Sequence, residues 1–331
     1  MRVGLTYNVK FEVDNLEPSR PRSEDMYEEF DSPETIKAIC AVLEGMDHEC
    51  VKLGYGRSAV SKLINNGIDF VFNIAEGYCG RSREAHIPAL LEMLHVPHSG
   101  PDPFTAALSL DKISAKKLAA YAGATTPAHY VVLPDKEINL QVVRFPVIVK
   151  PAYEGSSIGI RQDSKVFNLP ELEKKITWLR ANYPSQPVII EQFISGREFT
   201  VGITGNNTPK VLGVMEIVPI KKALKDFIYS LEVKRNYLEE VEYICPPNLS
   251  EAMMQELTRV AIHLFNNFGC RDIARFDFRI DDYGTPYFLE VNTLPGLHPV
   301  SSDIVIMARA MGIEYDQLIK KIFNTAFARY N

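Results

Sequence analysis

The stretch FDFRIDDYGTPYFLEVN, residues 276 to 292, constrains this chain most. Two runs of aromatic and β-branched residues flank a turn sequence, which reads as a strand, a tight turn and a second strand. With Tyr283-Gly284 as a two-residue turn, Gly supplying the positive φ, Asp277 falls opposite Glu290 and Arg275 opposite Asn292. Side chains alternate with period two, so these four share one face while Phe276, Phe278, Leu289 and Val291 line the other. A carboxylate facing a carboxylate is unfavourable unless a cation lies between them. The alternative is a solvated strand face with a charged edge, and three oxygen ligands plus an arginine in register count against it. Oxygen-only ligands suit Mg²⁺, and so small a set leaves room for phosphate oxygens and water. Asp277, Glu290 and Asn292 are therefore candidate metal ligands.

A metal of this kind directs attention to a phosphate grip. The chain has neither G-x-x-x-x-G-K-[ST] nor G-x-G-x-x-G, which removes the P-loop and dinucleotide readings. It does have VIVKPAYEGSSIG (147–159), in which a buried strand delivers Lys150, followed by Glu154, Gly155, Ser156, Ser157 and Gly159. Small residues let backbone N–H groups close around phosphate oxygens, and Lys150 adds a point charge. VIIEQFISGRE (188–198) then places Glu191 at a strand end and Glu198 seven residues on. That spacing suits one contact to adenine and one to ribose hydroxyls; surface glutamates are the alternative.

Length and composition bound the rest. At 331 residues two or three subdomains are expected, and 46% hydrophobic with 24% charged residues is ordinary for a soluble globular protein. There are 36 basic against 42 acidic residues and no basic block, which argues against nucleic acid as a partner. No apolar run reaches the roughly 18–20 residues of a membrane span, and MRVGLTYN reads as a first strand rather than a signal peptide. Cys40, Cys50, Cys79, Cys245 and Cys270 have no paired spacing, so reduced thiols in a cytoplasm are expected.

Three regions follow along the chain. Residues 1–98 alternate strands (MRVGLTYN, ECVKLGY, IDFVFNIAEG) with helices, which predicts a parallel sheet packed by helices. Ser32-Pro33 opens the first helix, which carries Ile36, Ile39, Cys40 and Leu43 to about Gly45. Residues 9–31 are charged and lack a period, so a long, mobile loop is expected there. HVPHSGPDP marks an edge. Residues 99–187 form a second, α+β region, and residues 188–331 a third that ends with the hairpin and a C-terminal helix. No internal repeat is visible.

In order, PHSGPDPFTAALSLDKISAK, FPVIVKPAYEGSSIGI, EQFISGREFTVGI and ARFDFRIDDYGTPYFLEVNTLPGLHPVSS resemble the ATP-grasp superfamily, and within it the D-alanine–D-alanine ligase family, from about residue 69 onward. The resemblance implies an α/β fold in which an N-terminal parallel domain precedes two α+β subdomains that clamp ATP. It implies Lys112 and Lys150 on ATP phosphates, Glu191 and the Gln192, Phe193 and Ile194 backbone at adenine, and Glu198 at ribose. Asp277, Glu290 and Asn292 would hold two Mg²⁺ ions, with Mn²⁺ an acceptable substitute. Lys234 matches a phosphate-contacting lysine on a mobile loop, about residues 221–243. Arg275 and the Gly296 N–H are nominated for an oxyanion site, and Ser301 for the carboxylate of a second substrate. The implied reaction joins two small amino-acid-like molecules through an acyl phosphate; a homodimer is left open.

The resemblance breaks at the first-substrate pocket. GLTYNVKFEV lacks the family's Gly-x-Ser-x-Glu turn, whose glutamate holds the first ammonium. The usual His-Gly is Glu76-Gly77, and YCGRSREAH brings Arg81 and Arg83 in place of Glu-Asp-Gly. The mobile-loop tyrosine is Arg235, and only its serine partner persists, as Ser156. Ser302 stands where an apolar residue often follows the carboxylate-binding serine. Guanidinium groups favour carboxylates, so the first substrate is expected to carry an additional acidic group or to lack a free α-ammonium. Pairing with local acids such as Glu84 or Glu239 is the alternative. Two other readings stand beside this ligase: a genuine D-alanine–D-alanine ligase, and an ATP-binding regulator without catalysis. Intact Lys150, Asp277, Glu290 and Asn292 argue against the regulator. His95 and His98 lack a third ligand nearby, Cys79 lacks a base, and Trp178 reads as helix packing. His298 is open between a substrate contact and a structural role.

Overall fold

The apolar runs of the chain fold into three sheets, and a computed structural model describes residues 1–9, 23–78, 80–136 and 139–331. Most of the charged loop predicted at 9–31, and Cys79, lie outside the described residues. The first sheet holds β1 (Arg2–Thr6), β2 (Glu49–Lys52) and β3 (Phe70–Asn73) in the order β2-β1-β3, all parallel. Parallel neighbours need crossovers, which the helices Pro33–Glu44 and Gly56–Asn65 supply. Ser32 caps the first of these, accepting from the Thr35 N–H at 3.1 Å, with Pro33 in the opening turn as the sequence predicts. Its Ile36, Ile39 and Leu43 bury against Val3, Leu5, Phe70 and Phe72, and the C-terminal helix Tyr315–Phe327 closes the same core.

One expectation fails here. Cys40, on the last turns of that helix, and Cys50, on β2, form a disulfide with their Cα atoms 5.4 Å apart. The ten-residue separation runs through a helix end, a turn and a strand that fold back on each other, and linear spacing gives no sign of that. Among the described residues Cys245 and Cys270 are free. No helix among the described residues is long and apolar enough to cross a membrane.

The second sheet is antiparallel, with β4 (His129–Val132), β5 (Val147–Pro151), β6 (Lys165–Val166) and β7 (Val188–Gln192) in the order β4-β7-β5-β6. The helix Leu169–Asn182 buries Leu172, Ile176 and Leu179 on it, and Trp178 packs edge-on against Tyr183. β7 hydrogen-bonds to both β4 and β5, so Val188–Gln192 is part of this sheet.

The third sheet runs β10-β9-β8-β11-β12, from β8 (Arg197–Gly205), β9 (Lys210–Pro219), β10 (Val241–Ile244), β11 (Asp272–Ile280) and β12 (Pro286–Asn292). The helix Glu251–Phe268 covers one face, packing Leu257, Leu264, Phe265 and Phe268 on Phe199, Phe276, Phe278 and Phe288. The predicted pairs are present: Asp277 opposite Glu290 and Arg275 opposite Asn292. The route to them differs. The turn has three residues, closed by Asp281 N–H to Thr285 O at 3.1 Å, with Gly284 at φ +84°. That extra residue shifts the register, so Phe278 faces Phe288, and a bulge at Leu289 restores it before Glu290. Leu289 therefore leaves the core face assigned to it and lines the cleft described below.

Gly196 sits in the link from β7 to β8 at φ +140°, where an added Cβ would lie 2.1 Å from Ile280 O. Gly196→Ala is expected to destabilise the protein by at least about 2 kcal/mol, from backbone strain plus displacement of β11. A denaturation midpoint equal to that of the wild type would refute this placement.

Candidate active site

A cleft of about 110 Å³ opens between the second and third sheets. Strand alternation in β5 and β7 turns Lys150 and Glu191 into it, and β11 and β12 contribute Arg275, Asp277, Arg279, Leu289 and Glu290. Glu191 is fully enclosed between two ammonium groups, Lys150 and Lys116, each at 3.1 Å. Burial would raise its carboxyl, but the two lysines outweigh that and hold it below the ordinary range. Lys116 also donates to Leu289 O at 2.9 Å, and burial pulls its ammonium down to about 8. Sequence reading missed Lys116, although its place four residues after Lys112 on one helix face was a usable signal.

Gln192, Phe193 and Ile194 line the cleft. The Gln192 and Phe193 N–H groups donate to Ala128 O at 2.8 Å and Pro146 O at 3.1 Å. Ile194 O accepts from Arg279 at 2.9 Å. Arg279 also grips Glu198 through one oxygen, Oε2, at 2.8 and 3.1 Å, and bonds Phe227 O at 2.7 Å. Arg279 was not singled out from sequence; its position two residues beyond Asp277 on the same strand face was the available sign.

The small-residue loop after β5 is strained. Ser156 and Ser157 are both left-handed, at φ +47° and +59°, which costs each of order 1 kcal/mol or more and is typical of ligand clamps. The Ser157 hydroxyl donates to Tyr229 O at 2.9 Å, and the Leu231 N–H to Ile160 O at 3.0 Å. The segment around 228–234 thus lies over the cleft, with the Lys234 ammonium lowered by burial. Phe227 and Val233 anchor it on Ile217 and Val241.

On the metal-candidate face, Arg275 clamps Asp277 at 2.9 and 3.0 Å and reaches Asp303 at 3.1 Å. Asn292 donates to Asp277 at 3.1 Å. Lys112 stands 3.2 Å from Glu290 and also bonds Glu154 O. Burial would raise Glu290, yet Lys112, Lys150 and Arg275 hold it at about 2. Asp277 moves the other way, raised by burial with Arg275 opposing.

A second cavity, about 240 Å³, adjoins this cleft and shares Lys112, Ser156, Lys234, Arg275 and Glu290 with it. Its far wall holds Gly296, Ser301 and Ser302. Ser301 Oγ lies 3.0 Å from His298 Nδ1, so the histidine touches the candidate serine.

Among the described residues each of the three arginines has a carboxylate partner, which is the alternative of pairing within the protein, though with acids other than Glu84 or Glu239. Arg81 binds Asp111 at 2.5 and 2.9 Å, over the N-cap of the helix that starts at Lys112. Arg83 binds Glu29 at 2.5 Å, both about 5% exposed, and Glu154 at 3.6 Å. Arg235 binds Glu28, with its Nε at 3.0 Å. Glu28 and Glu29 come from residues 23–31, the described end of the charged loop. Glu29 also accepts the Gly155 N–H at 2.7 Å. Glu76 and Glu84 both line this cavity.

The comparisons with known proteins point one way. Residues 128–324 match the family model described as D-ala D-ala ligase C-terminus. The D-alanine–D-alanine ligase of Pelotomaculum thermopropionicum is 32% identical over 307 residues, covering 89% of this chain and 92% of that protein. A protein of Sinorhizobium fredii described as uncharacterized, y4sG, is 34% identical over 262 residues, covering 78% and 75%. The crystal structure of the Bacillus anthracis D-alanine–D-alanine ligase complexed with ATP superposes with a TM-score of 0.77 at 23% identity, over 99% of this chain and 98% of that one. With two adjoining cavities, the facing carboxylates and these likenesses in hand, the chain belongs to the D-alanine–D-alanine ligase family, whose fold is ATP-grasp.

Proposed function

We propose that this protein is an ATP-dependent carboxylate–amine ligase that joins two small amino-acid-like substrates and releases ADP and phosphate. The observation that carries the reading is the register of Asp277 against Glu290, set among Lys112, Lys150 and Arg275 where the two cavities meet. Two facing carboxylates with an adjacent Asn oxygen fit one or two hard cations such as Mg²⁺, with Mn²⁺ a substitute. Asp277, Glu290 and Asn292 would hold them. Bound there, the metal would neutralise charge on the transferring phosphoryl group.

The remaining work falls to side chains and backbone. Lys112, Lys150 and Lys234 bind ATP phosphates beside the loop Glu154–Ser157, Glu198 takes the ribose, and the Gln192–Ile194 edge meets adenine. The carboxylate of the first substrate attacks the γ-phosphoryl group to give an acyl phosphate. The amine of the second substrate then attacks that acyl carbon and phosphate leaves. Arg275 and the Gly296 N–H stabilise the oxyanion that forms at this step. Ser301, with His298 against its hydroxyl, receives the second carboxylate. The segment 221–243 covers the cleft and excludes water from the acyl phosphate.

D-alanine as both substrates is the second reading, favoured by the names of the relatives. ADP release measured over pairs of D- and L-amino acids, with product mass, decides between them. ADP release that needs no second amino acid, or none with any pair, would refute the ligase.

Glu290→Gln and Asp277→Asn are expected to abolish substrate-dependent ADP release while leaving a folded protein, since the loss is of charge neutralisation rather than packing. An active Glu290→Gln enzyme at ordinary Mg²⁺ would overturn the hairpin assignment. For the cover, an ATP analogue with Mg²⁺ should protect residues 221–243 from proteolytic nicking that occurs in the free protein. Equal cleavage in both states would exclude a nucleotide-linked lid.

A further inference from the structure

The second cavity holds more negative charge than the reaction above uses. Among the described residues seven carboxylates line it against three cations, and those cations also line the cleft: Lys112 on Glu290, Arg275 on Asp303, and Lys234 near Asp303 and Arg275. Of the remaining acids, Glu28 is paired with Arg235 and Glu29 with Arg83. Asp31, Glu76 and Glu84 have no ion-pair partner among the described residues. Asp31 Oδ2 is buried with no hydrogen-bond partner at all. Glu76 and Glu84 lie near enough for Glu84 to disfavour the charge of Glu76, and Glu84 is 8% exposed.

Three such acids together are costly, and burial forces protons onto them. It pushes Asp31 up to about 8 and Glu84 to about 7, with Arg83 opposing the second shift, and it raises Glu76 as well, reinforced by Glu84 and Glu29. No three carboxylate, imidazole or thiol groups among the described residues converge closely enough to hold a metal ion. Their spread suits an organic cation, whose several N–H donors can reach more than one carboxylate. Just beyond Asp31 and Glu76 the cavity narrows into a chamber of about 30 Å³ with apolar walls from Phe72, Ile74, Leu294 and Leu297. That shape accepts a few methylenes and stops a long chain.

We propose, resting on the ligase reading, that the substrate activated in this cavity is a short diamino acid, whose side-chain cation is selected by Asp31, Glu76 and Glu84. An alanine methyl would leave these acids unmatched. A second ammonium supplies the missing charge, and the acids then release their protons to the buffer.

ADP release by the full-length protein, with either enantiomer of 2,4-diaminobutyrate, is compared with 2-aminobutyrate and with alanine. The diamino acid should be preferred in kcat/KM by on the order of tenfold or more, the scale of a buried charge contact. Asp31→Asn and, independently, Glu76→Gln should each reduce that ratio, with folding verified by thermal melting. Calorimetric titration near pH 7 in buffers of different ionisation enthalpy should show proton release with the diamino acid and not with 2-aminobutyrate. ADP release that is as fast with alanine or 2-aminobutyrate overturns the inference and leaves the ligase standing. No ADP release with any amino acid, in a protein that still binds ATP, removes both.

Discussion

Two carboxylates facing each other across an antiparallel pair set the terms for the rest of this molecule. Asp277 and Glu290 would repel at that distance, so the fold surrounds them with cations from three other places in the chain. Arg275 arrives on the same strand, two residues before Asp277. Lys112 arrives from the start of a helix whose N-cap, Asp111, is held by Arg81. Lys150 comes from the second sheet and is itself steadied by Glu191, which Lys116 shares. Each of these cations has a counter-acid, so the two signs alternate among them and do not form a patch of one sign. Such arrangements seldom add net stability over apolar packing; what they provide is fixed positions for charge before a ligand arrives.

The parts of this arrangement legible in the sequence are those whose spacing a regular element enforces. Period two on β11 and β12 was enough to pair Asp277 with Glu290. Even so, the turn is one residue longer than Tyr283-Gly284 suggests, and Leu289 compensates by bulging; two irregularities cancel before the critical pair. The helix start at Ser32-Pro33 and the strand ending at Lys150 and Pro151 were visible for the same local reasons. Contacts made by irregular chain were not. Nothing in the run MYEEFD shows that Glu28 would meet Arg235 or that Glu29 would meet Arg83 and the Gly155 N–H, since those partners lie 54 to 207 residues away. The Cys40–Cys50 bond and the membership of β7 in the second sheet were hidden likewise, because both are settled by what packs beside the element.

The arginines illustrate how a residue type misleads when its surroundings are unknown. A guanidinium in a substrate pocket suggests an anionic substrate only while its own partner is missing. Here all three are matched within the protein, and the surplus has the opposite sign. Replacing the family's His-Gly by Glu76-Gly77 adds an acid, and Glu84 and Asp31 add two more in the same cavity. Gly77 permits this close wall: at φ +77° a Cβ there would meet Arg83 O at 2.3 Å, so the backbone of 77 and 83 can touch only with glycine in place.

Geometry then assigns different work to the two halves of the site. The nucleotide half is built from regular strands, so its side chains are fixed by sheet register and change little without breaking a core. The substrate half is built from residues 28–32, Glu76 and Glu84, and the loop from Thr293 to Ser302. Loops can exchange one charged residue for another at small cost to folding, because few core contacts depend on them. A ligase of this build can therefore keep one phosphoryl-transfer cleft while the sign of its neighbouring cavity is reset. In this chain Arg83 and Arg235 are answered by Glu29 and Glu28, and Asp31, Glu76 and Glu84 line the same cavity.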